Sequence, residues 1–318
     1  MSRFITKIKD NKVGLLISFF VLFSCTVISI YAIKHYGTQY AEQKIQEQLQ
    51  YSGLAPFVHY QGIHFNPFTL TPSLEEVSFG YENAPWLRFA RISFNGYPLT
   101  HPSLDVDFWI KESPASSLSR DTRQWMLAAG IDTLLGKGSL LSNVNGDQVS
   151  SQFELNIKDL GIVSLSSHIE VLDKNLSMSE LRTDLLASVA MGQPEGIFII
   201  HGDTVEISNL DISYKDTGLM THLLPKTPTE NNELLTKIQS NSQNLGLTKA
   251  GSKEADQITN AIMFFLQAFQ YPSTTKESTN KKLHLSMSPI KPLSLKELAL
   301  MAHDDSLYQG SNMSISAQ

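Results

Sequence analysis

Beyond residue 57 the chain alternates polar and apolar positions over short spans, broken by prolines and glycines. Ile63 and Phe65 share one parity, Phe68 and Leu70 another beyond Asn66-Pro67, and Val77 and Phe79 a third after Pro72. Successive side chains of a strand point to opposite faces, so this period of two predicts half-buried strands. Proline removes a ladder donor, which predicts bends, bulges or an exposed edge at Pro67 and Pro72. Ala90, Ile92 and Phe94 carry the pattern to the Asn95-Gly96 turn, and Leu104, Val106, Phe108 and Ile110 alternate against Asp105, Asp107 and Trp109. Further strands are expected at Phe153–Ile157, Val163–Leu165, Ile169–Val171, Leu210–Tyr214 and Leu283–Met287, with a last edge strand around Met313 and Ile315. Ile197–Ile200 and Val205–Ile207 read as a hairpin through His201-Gly202-Asp203. FELNIKDLGIVSL (153–165) and NLDISYKDTGLMTHL (209–223) each end a strand in an Asp-x-Gly turn, the chemistry of a residue that bonds local backbone and one that accepts unusual dihedrals.

Helical spacing interrupts this rhythm in a few places. Ile45 and Leu49 share a face of a short helix over Tyr40–Tyr51, which Gly53 and Pro56 end. Trp125, Ala128 and Ala129 fit a short connecting helix within 121–135, with Leu127, Ile131 and Leu134 or Leu135 as another stripe, Ser179 opens a helix that runs to Ala190, and a modest one is expected over Leu234–Ser242. Ile258, Ile262, Phe265 and Phe269 recur at three- and four-residue intervals within 253–270, stopped by Pro272. Ser294 and Glu297 have the capping-box spacing that starts a helix over Leu295–Ala302.

One segment is apolar throughout. Val13–Ile33 contains no Asp, Glu, Lys or Arg, and a helix that long rises about 31 Å, close to the roughly 30 Å of a bilayer's hydrocarbon core. Arg3, Lys7, Lys9 and Lys12 precede it and Lys34 alone follows closely, which under the positive-inside rule keeps the amino terminus in the cytoplasm. The expected organisation is a cytoplasmic tail (1–12), a transmembrane helix (13–33), a helical stem (34–57), a β-rich extracytoplasmic body (58–224) and a helix-containing carboxyl region packed on it (225–318). The expected fold class is mainly β with helical additions, a curved open β-sheet or β-groove preceded by one transmembrane helix.

Composition narrows the chemistry. The 318 residues are 42% apolar and 18% charged, with 31 acidic against 25 basic residues and a net charge of −6. Without a dense basic run, a nucleic-acid partner is not expected. Cys25 is the only cysteine, so the chain has no internal disulfide. Residues 130–139 (GIDTLLGKGS) approach a phosphate loop, but five residues separate the glycines where four are needed, and Gly138 replaces the hydroxyl residue after the lysine. His59 and His64 stand at an odd separation, on opposite faces of an uninterrupted strand, and Asp105 with Asp107 lacks a turn that would supply carbonyls to a cation. Ser273–Lys276 and Ser288–Lys291 have Ser-x-x-Lys spacing without its accompanying motifs. No catalytic residue, metal ligand set or cofactor is expected. The hydrophobic groove or core is assigned to Ile63, Phe65, Phe68, Leu70, Ile92, Phe94, Leu104, Val106, Phe108, Phe153, Leu155 and Ile157. A partner surface is assigned to Trp109, Trp125, Ile258, Ile262, Phe265 and Phe269.

The apolar segment, the stem, IHFNPFTLTPSLEEVSF and FELNIKDLGIVSLSSHIEVL together resemble the AsmA-like group of bacterial proteins. LDISYKDTGLMTHLL and LHLSMSPIKPLSLKELALMA resemble stretches of uncharacterised exported bacterial proteins. The resemblance implies a bacterial inner-membrane anchor, a periplasmic β-groove, and a connection with phospholipid movement or outer-membrane upkeep. On these readings the expected function is a non-enzymatic scaffold or accessory subunit of an envelope complex. The alternative is binding or transfer of phospholipid-like molecules through a hydrophobic β-groove. The expected partners are the lipid bilayer, envelope proteins and phospholipid.

Overall fold

The structure is a computed structural model that describes residues 2–97, 101–174, 176–193, 196–224, 236–237, 247–249, 252–270 and 282–318; the side chains of 2–21, 179, 198 and 270 are outside that description. The expected helix over Leu234–Ser242 and the Ser273–Lys276 pair lie largely outside the described residues.

A single helix of 50 residues, α1, runs over Ser2–Tyr51 and takes in the expected tail, span and most of the stem. Among the described residues no helix is long and apolar enough to cross a membrane. That finding corrects the expected transmembrane helix, and with it the single-pass inner-membrane placement, the cytoplasmic amino terminus and the periplasmic body. Side chains of α1 are described from Leu22 onward, so residues 13–21 of the expected span fall outside them. Beyond Ile33 the helix turns amphipathic and packs: Ala41 and Leu49 are buried, and Gly37 lies against the Phe65 ring.

The strands follow as β1 (Val58–His59), β2 (Gly62–Asn66), β3 (Thr71–Tyr81), β4 (Ala84–Phe94), β5 (Leu104–Pro114), β6 (Thr133–Asn145), β7 (Gln148–Ile157), β8 (Gly161–Val171), β9 (Val205–Asp216), β10 (Lys282–Met287), β11 (Leu293–Ser294) and β12 (Met313–Ala317). They form one antiparallel, 12-stranded sheet in the order β1-β3-β4-β5-β6-β7-β8-β9-β10-β12, with β2 also on β3 and β11 also on β9. Its order is close to that of the sequence, because hairpin after hairpin adds to the growing edge. The sheet stays open and uncurled, in a mixed fold of helices and strands, and this corrects the expected mainly-β curved groove. Helices supply a second layer over the two ends of the apolar face, so those ends need no second sheet to cover them.

Those helices gather at the flanks. α1 lies against β2 and β3, and α2 (Arg120–Ala128) against β4. α3 (Met178–Ala190) joins them, with its Thr183 hydroxyl 3.0 Å from Gln48 of α1 and its Ala190 carbonyl accepting from the Trp86 indole at 3.0 Å. This side holds the largest core, around Val77, Phe79, Phe89, Ile110 and Met126. At the other side α5 (Leu219–Leu223) meets α6 (Lys253–Gln270), α6 packs on β10 and β12, and α7 (Leu295–His303) packs on β9. Two smaller cores form there, one around Val205, Ile207 and Met287, the other around Phe265 and Leu266. The capping box is present: Glu297 donates its backbone N–H to Ser294 Oγ at 3.1 Å and accepts the Ser294 N–H at 2.7 Å.

Three local expectations are corrected. Phe68 and Leu70 do not make a strand; they occupy the β2–β3 turn, where Asn66 Oδ1 accepts the Phe68 N–H at 2.9 Å and Leu70 takes a φ of 58°. Ile197–Ile200 is not half of a hairpin but lies in α4 (Gly196–His201). A short apolar run does not distinguish strand from helix, and packing on α3, with His201 Nε2 2.9 Å from Asp184 Oδ2, selects the helix. Finally, the connecting helix expected within 121–135 stops at Ala128: Gly130 takes the left-handed position just past it, with φ +72°, and β6 begins at Thr133, where Gly136 and Gly138 are paired ladder residues.

The two Asp-x-Gly turns meet in space. Leu160 O receives the N–H groups of Thr217 and Leu219, each at 3.2 Å. The Tyr214 hydroxyl sits 2.9 Å from the same oxygen and 2.8 Å from Asp216 Oδ1. Burial first, and the Asp216 carboxylate second, raise the Tyr214 phenol above its usual range. Its contribution is therefore complete below the unfolded value of about 10 and is lost as pH rises above it. Tyr214→Phe is expected to cost about 1 kcal/mol at neutral pH. Urea midpoints of the two forms should converge in the alkaline range; a gap that stays constant there would contradict this account.

Candidate functional site

Strand pairing brings together side chains that are far apart in the chain. One row of partnered residues runs His64, Ser73, Ser93, Asp107, Ser139, Glu154, Ser164, Ser213, His284 and Ser316, from β2 to β12. Every member is polar, and all share one face of the sheet because partners across a ladder point the same way. Two residues along the strands, Asp105, Leu141, Gln152, Ser166, Asp211, Ser286 and Ser314 form a second row on that face. On the opposite side of the first row lie Arg91, Trp109, Lys137, Asn156, Ile162, Lys215 and Lys282.

The face is thus banded by charge. Asp105, Asp107, Glu154 and Asp211 fall in the first two rows, Arg91 and three lysines in the third. Rows separated by two residues lie roughly 7 Å apart, within the Debye length of about 8 Å in physiological salt. A shallow depression of about 530 Å³ spans β5 to β10 here, lined by Asp105, Asp107, Gln152, Glu154, Asp211, Lys282 and His284 among others. Asp107 Oδ2 accepts from Asn95 Nδ2 at 2.8 Å, and His284 Nε2 lies 3.4 Å from Asp211 Oδ1. Arg91 stands over the Trp109 ring, its guanidinium carbon 5.8 Å from the centroid. Among the described residues, no group of three or more His, Cys, Asp or Glu side chains is placed to hold a metal ion.

A comparison with protein-family models finds no match, and no curated protein matches the chain. The polar face therefore stands on its own geometry.

The opposite face is apolar. Ile63, Leu74, Ile92, Phe108, Gly138, Leu155, Val163, Tyr214 and Leu283 make one cross-strand row, and Phe94, Val106, Leu140, Phe153, Leu165, Ile212, Leu285 and Ile315 make the next. Of the assigned groove or core residues, Ile63, Ile92, Phe94, Phe108, Leu155 and Ile157 pack partly buried against the largest core. Val106 is buried, Phe65, Leu104 and Phe153 are half-buried, and Phe153 stacks on Phe108 with centroids 6.1 Å apart. Phe68 and Leu70 are outside any core, 78% and 59% exposed. Leu140, Phe153, Leu165, Ile212 and Leu285 are only half-buried and belong to none of the three packed cores.

The assigned partner surface divides. Ile258 and Phe265 point inward from α6 and are buried, and Ile262 and Phe269 pack partly buried beside Phe265. Trp109 and Trp125 are the exposed members, at 38% and 57%, and they lie on different elements, Trp109 on the polar face and Trp125 on α2. Sequence reasoning noticed Asp105 and Asp107 but missed Glu154, Asp211, Lys282 and His284. Alternation assigns each of these to the polar parity of its own strand. Only strand order and register show that they line one depression.

Proposed function

We propose that this chain is a scaffold that docks a folded protein partner on the open polar face of its sheet. The charge-banded face carries the reading: acidic rows beside a row bearing Arg91, Lys137, Lys215 and Lys282, around a shallow depression. Such banding suits a partner with the opposite order of charge, since complementary bands set orientation and speed encounter. A wide, shallow surface on which charged side chains surround Leu141 fits a protein better than a small ligand, whose sites are concave and bury most of its surface.

Photo-crosslinking in the producing cells tests the reading. A crosslinker at exposed Gln152 is expected to give discrete protein adducts, and one at Ile290, 96% exposed and outside the depression, is not. Glu154→Lys, at an exposed carboxylate, should sharply reduce the adducts while moving stability by less than about 1 kcal/mol, because surface charges contribute little to folding. Equal adducts at both positions, or adducts indifferent to charge reversal, would count against docking here.

A second reading rests on the half-buried apolar row Leu140, Phe153, Leu165, Ile212 and Leu285. Acyl chains laid on that row would gain about 0.8 kcal/mol per methylene buried. Native mass spectrometry finding an enriched phospholipid-like species, with the crosslinks absent, would favour it.

A further inference from the structure

The last strand leaves one margin of the sheet unpaired. Lys282 and Gln318 exchange both backbone bonds, at 3.0 and 2.9 Å, which sets the phase of the β10–β12 ladder. Bonded pairs alternate along an antiparallel ladder, so Ser316 and Ser314 also turn their peptide groups toward β10, opposite His284 and Ser286. Met313, Ile315 and Ala317 therefore direct their N–H and C=O groups outward. Among the described residues no hydrogen bond reaches these groups. The strand reads MSISA, without the lysine, proline or other charge that usually guards a free edge.

We propose that β12 is a homodimerisation edge, at which a second copy of this chain pairs antiparallel about a two-fold axis at Ile315. The strand is self-complementary in that register. Met313 pairs with Ala317 of the second copy and Ile315 with its own equivalent, and each pair exchanges two backbone bonds through groups that already point outward. Ser314 falls opposite Ser316 on the polar face, while Met313, Ile315 and Ala317 stay on the apolar face. The apolar row ending at Leu285 and Ile315 thereby continues into the second chain, covering side chains that are half-buried here. The opposite margin does not offer the same surface. It is divided between β1, of 2 residues, and β2, of 5 residues, so no single strand runs along it. Pairing of β12 with its own equivalent is isologous and uses that edge up, so the assembly closes at two copies.

Sedimentation of the full chain across a dilution series tests this. The parent chain is expected to show a reversible monomer–dimer equilibrium. Ile315→Pro removes only an outward N–H from β12 and should leave a monomer. Should that variant fail to fold, a charge pair decides independently, because Ser314 and Ser316 are both exposed. Ser314→Lys with Ser316→Lys sets lysines opposite lysines twice and should weaken the dimer about 10-fold or more, whereas Ser314→Lys with Ser316→Glu should restore it. A parent chain that is monomeric throughout overturns the proposal. So does a dimer that ignores the charge pair, through the exposed side chains of α1 or any other surface. Docking on the polar face is read by a separate crosslink, so either result leaves the other standing or falling by itself.

Discussion

Replacing Phe89 with alanine is expected to lower stability by about 4 kcal/mol, the largest single-residue loss in this fold. Phe89 is 6% exposed, on β4 opposite Ile110, where the register shifts between Phe89 and Arg91. Its ring meets Phe79 edge-on at 5.1 Å and Phe108 edge-on at 5.7 Å, so it joins β3, β4 and β5 in one aromatic chain. Truncation removes the transfer energy of the ring and leaves a cavity that two anchored rings cannot close. The edge-on contacts add roughly 0.5–1.5 kcal/mol each beyond burial. For a chain of this size the midpoint of thermal unfolding should fall by about 10 °C. Phe89→Leu, which keeps most of the volume, should lose less than half as much. Calorimetry and urea titration of the three forms measure both; a loss below about 1 kcal/mol for the alanine form would show that the core is not organised around this ring.

The second large effect is expected at Gly138, where any side chain collides with two neighbours at once. A Cβ there would lie 2.4 Å from the Phe108 ring and 2.4 Å from the Glu154 carbonyl oxygen. The ring can turn away, but the carbonyl belongs to the β7 backbone and can yield only by moving the strand. Gly138→Val should therefore cost about 3 kcal/mol, the upper range for overpacking, and Gly138→Ala somewhat less. Adding Phe108→Leu should recover the part due to the ring and leave the part due to the carbonyl. The consequence reaches the other face. Gly138 precedes Ser139, which pairs with Glu154 in the first polar row, so displacing β7 should also weaken the expected Gln152 crosslink. Unfolding measurements and the crosslink together separate a local clash from a shift of the sheet. Full recovery by Phe108→Leu would argue that the carbonyl contact is relieved by another route.

The same glycine shows how a sequence feature can carry a different meaning in space. Gly136-Lys137-Gly138-Ser139 approaches a phosphate-binding pattern, and elimination by spacing left the glycines without a role. In the sheet their role is close approach: β5 and β7 flank β6 so tightly, with Phe108 crossing over, that only hydrogen fits at 138. Lys137 meanwhile takes its place in the basic row of the polar face. Similarly, the two Asp-x-Gly turns looked like a weak internal echo, and their common feature is that they pack on each other through Leu160 O.

Alternation along Leu104–Ile110, Phe153–Ile157 and Leu210–Tyr214 was legible because side-chain direction in a strand is set by the backbone of that strand alone. The helical stripe of α6, the Ser294–Glu297 cap and the last strand at Met313 and Ile315 were legible for the same reason: each is written in residues within a few positions of one another. Local pattern gave no basis for choosing helix over strand at Ile197–Ile200, nor for exposing Phe68 and Leu70, since contacts with α3 and the geometry of the Asn66 turn decide those. An apolar run could not by itself say how its helix would be accommodated. The charge-banded face depends most on the tertiary structure, because Asp107, Glu154 and His284 become neighbours only through a register spanning β5 to β10, set by pairings between residues distant in the chain.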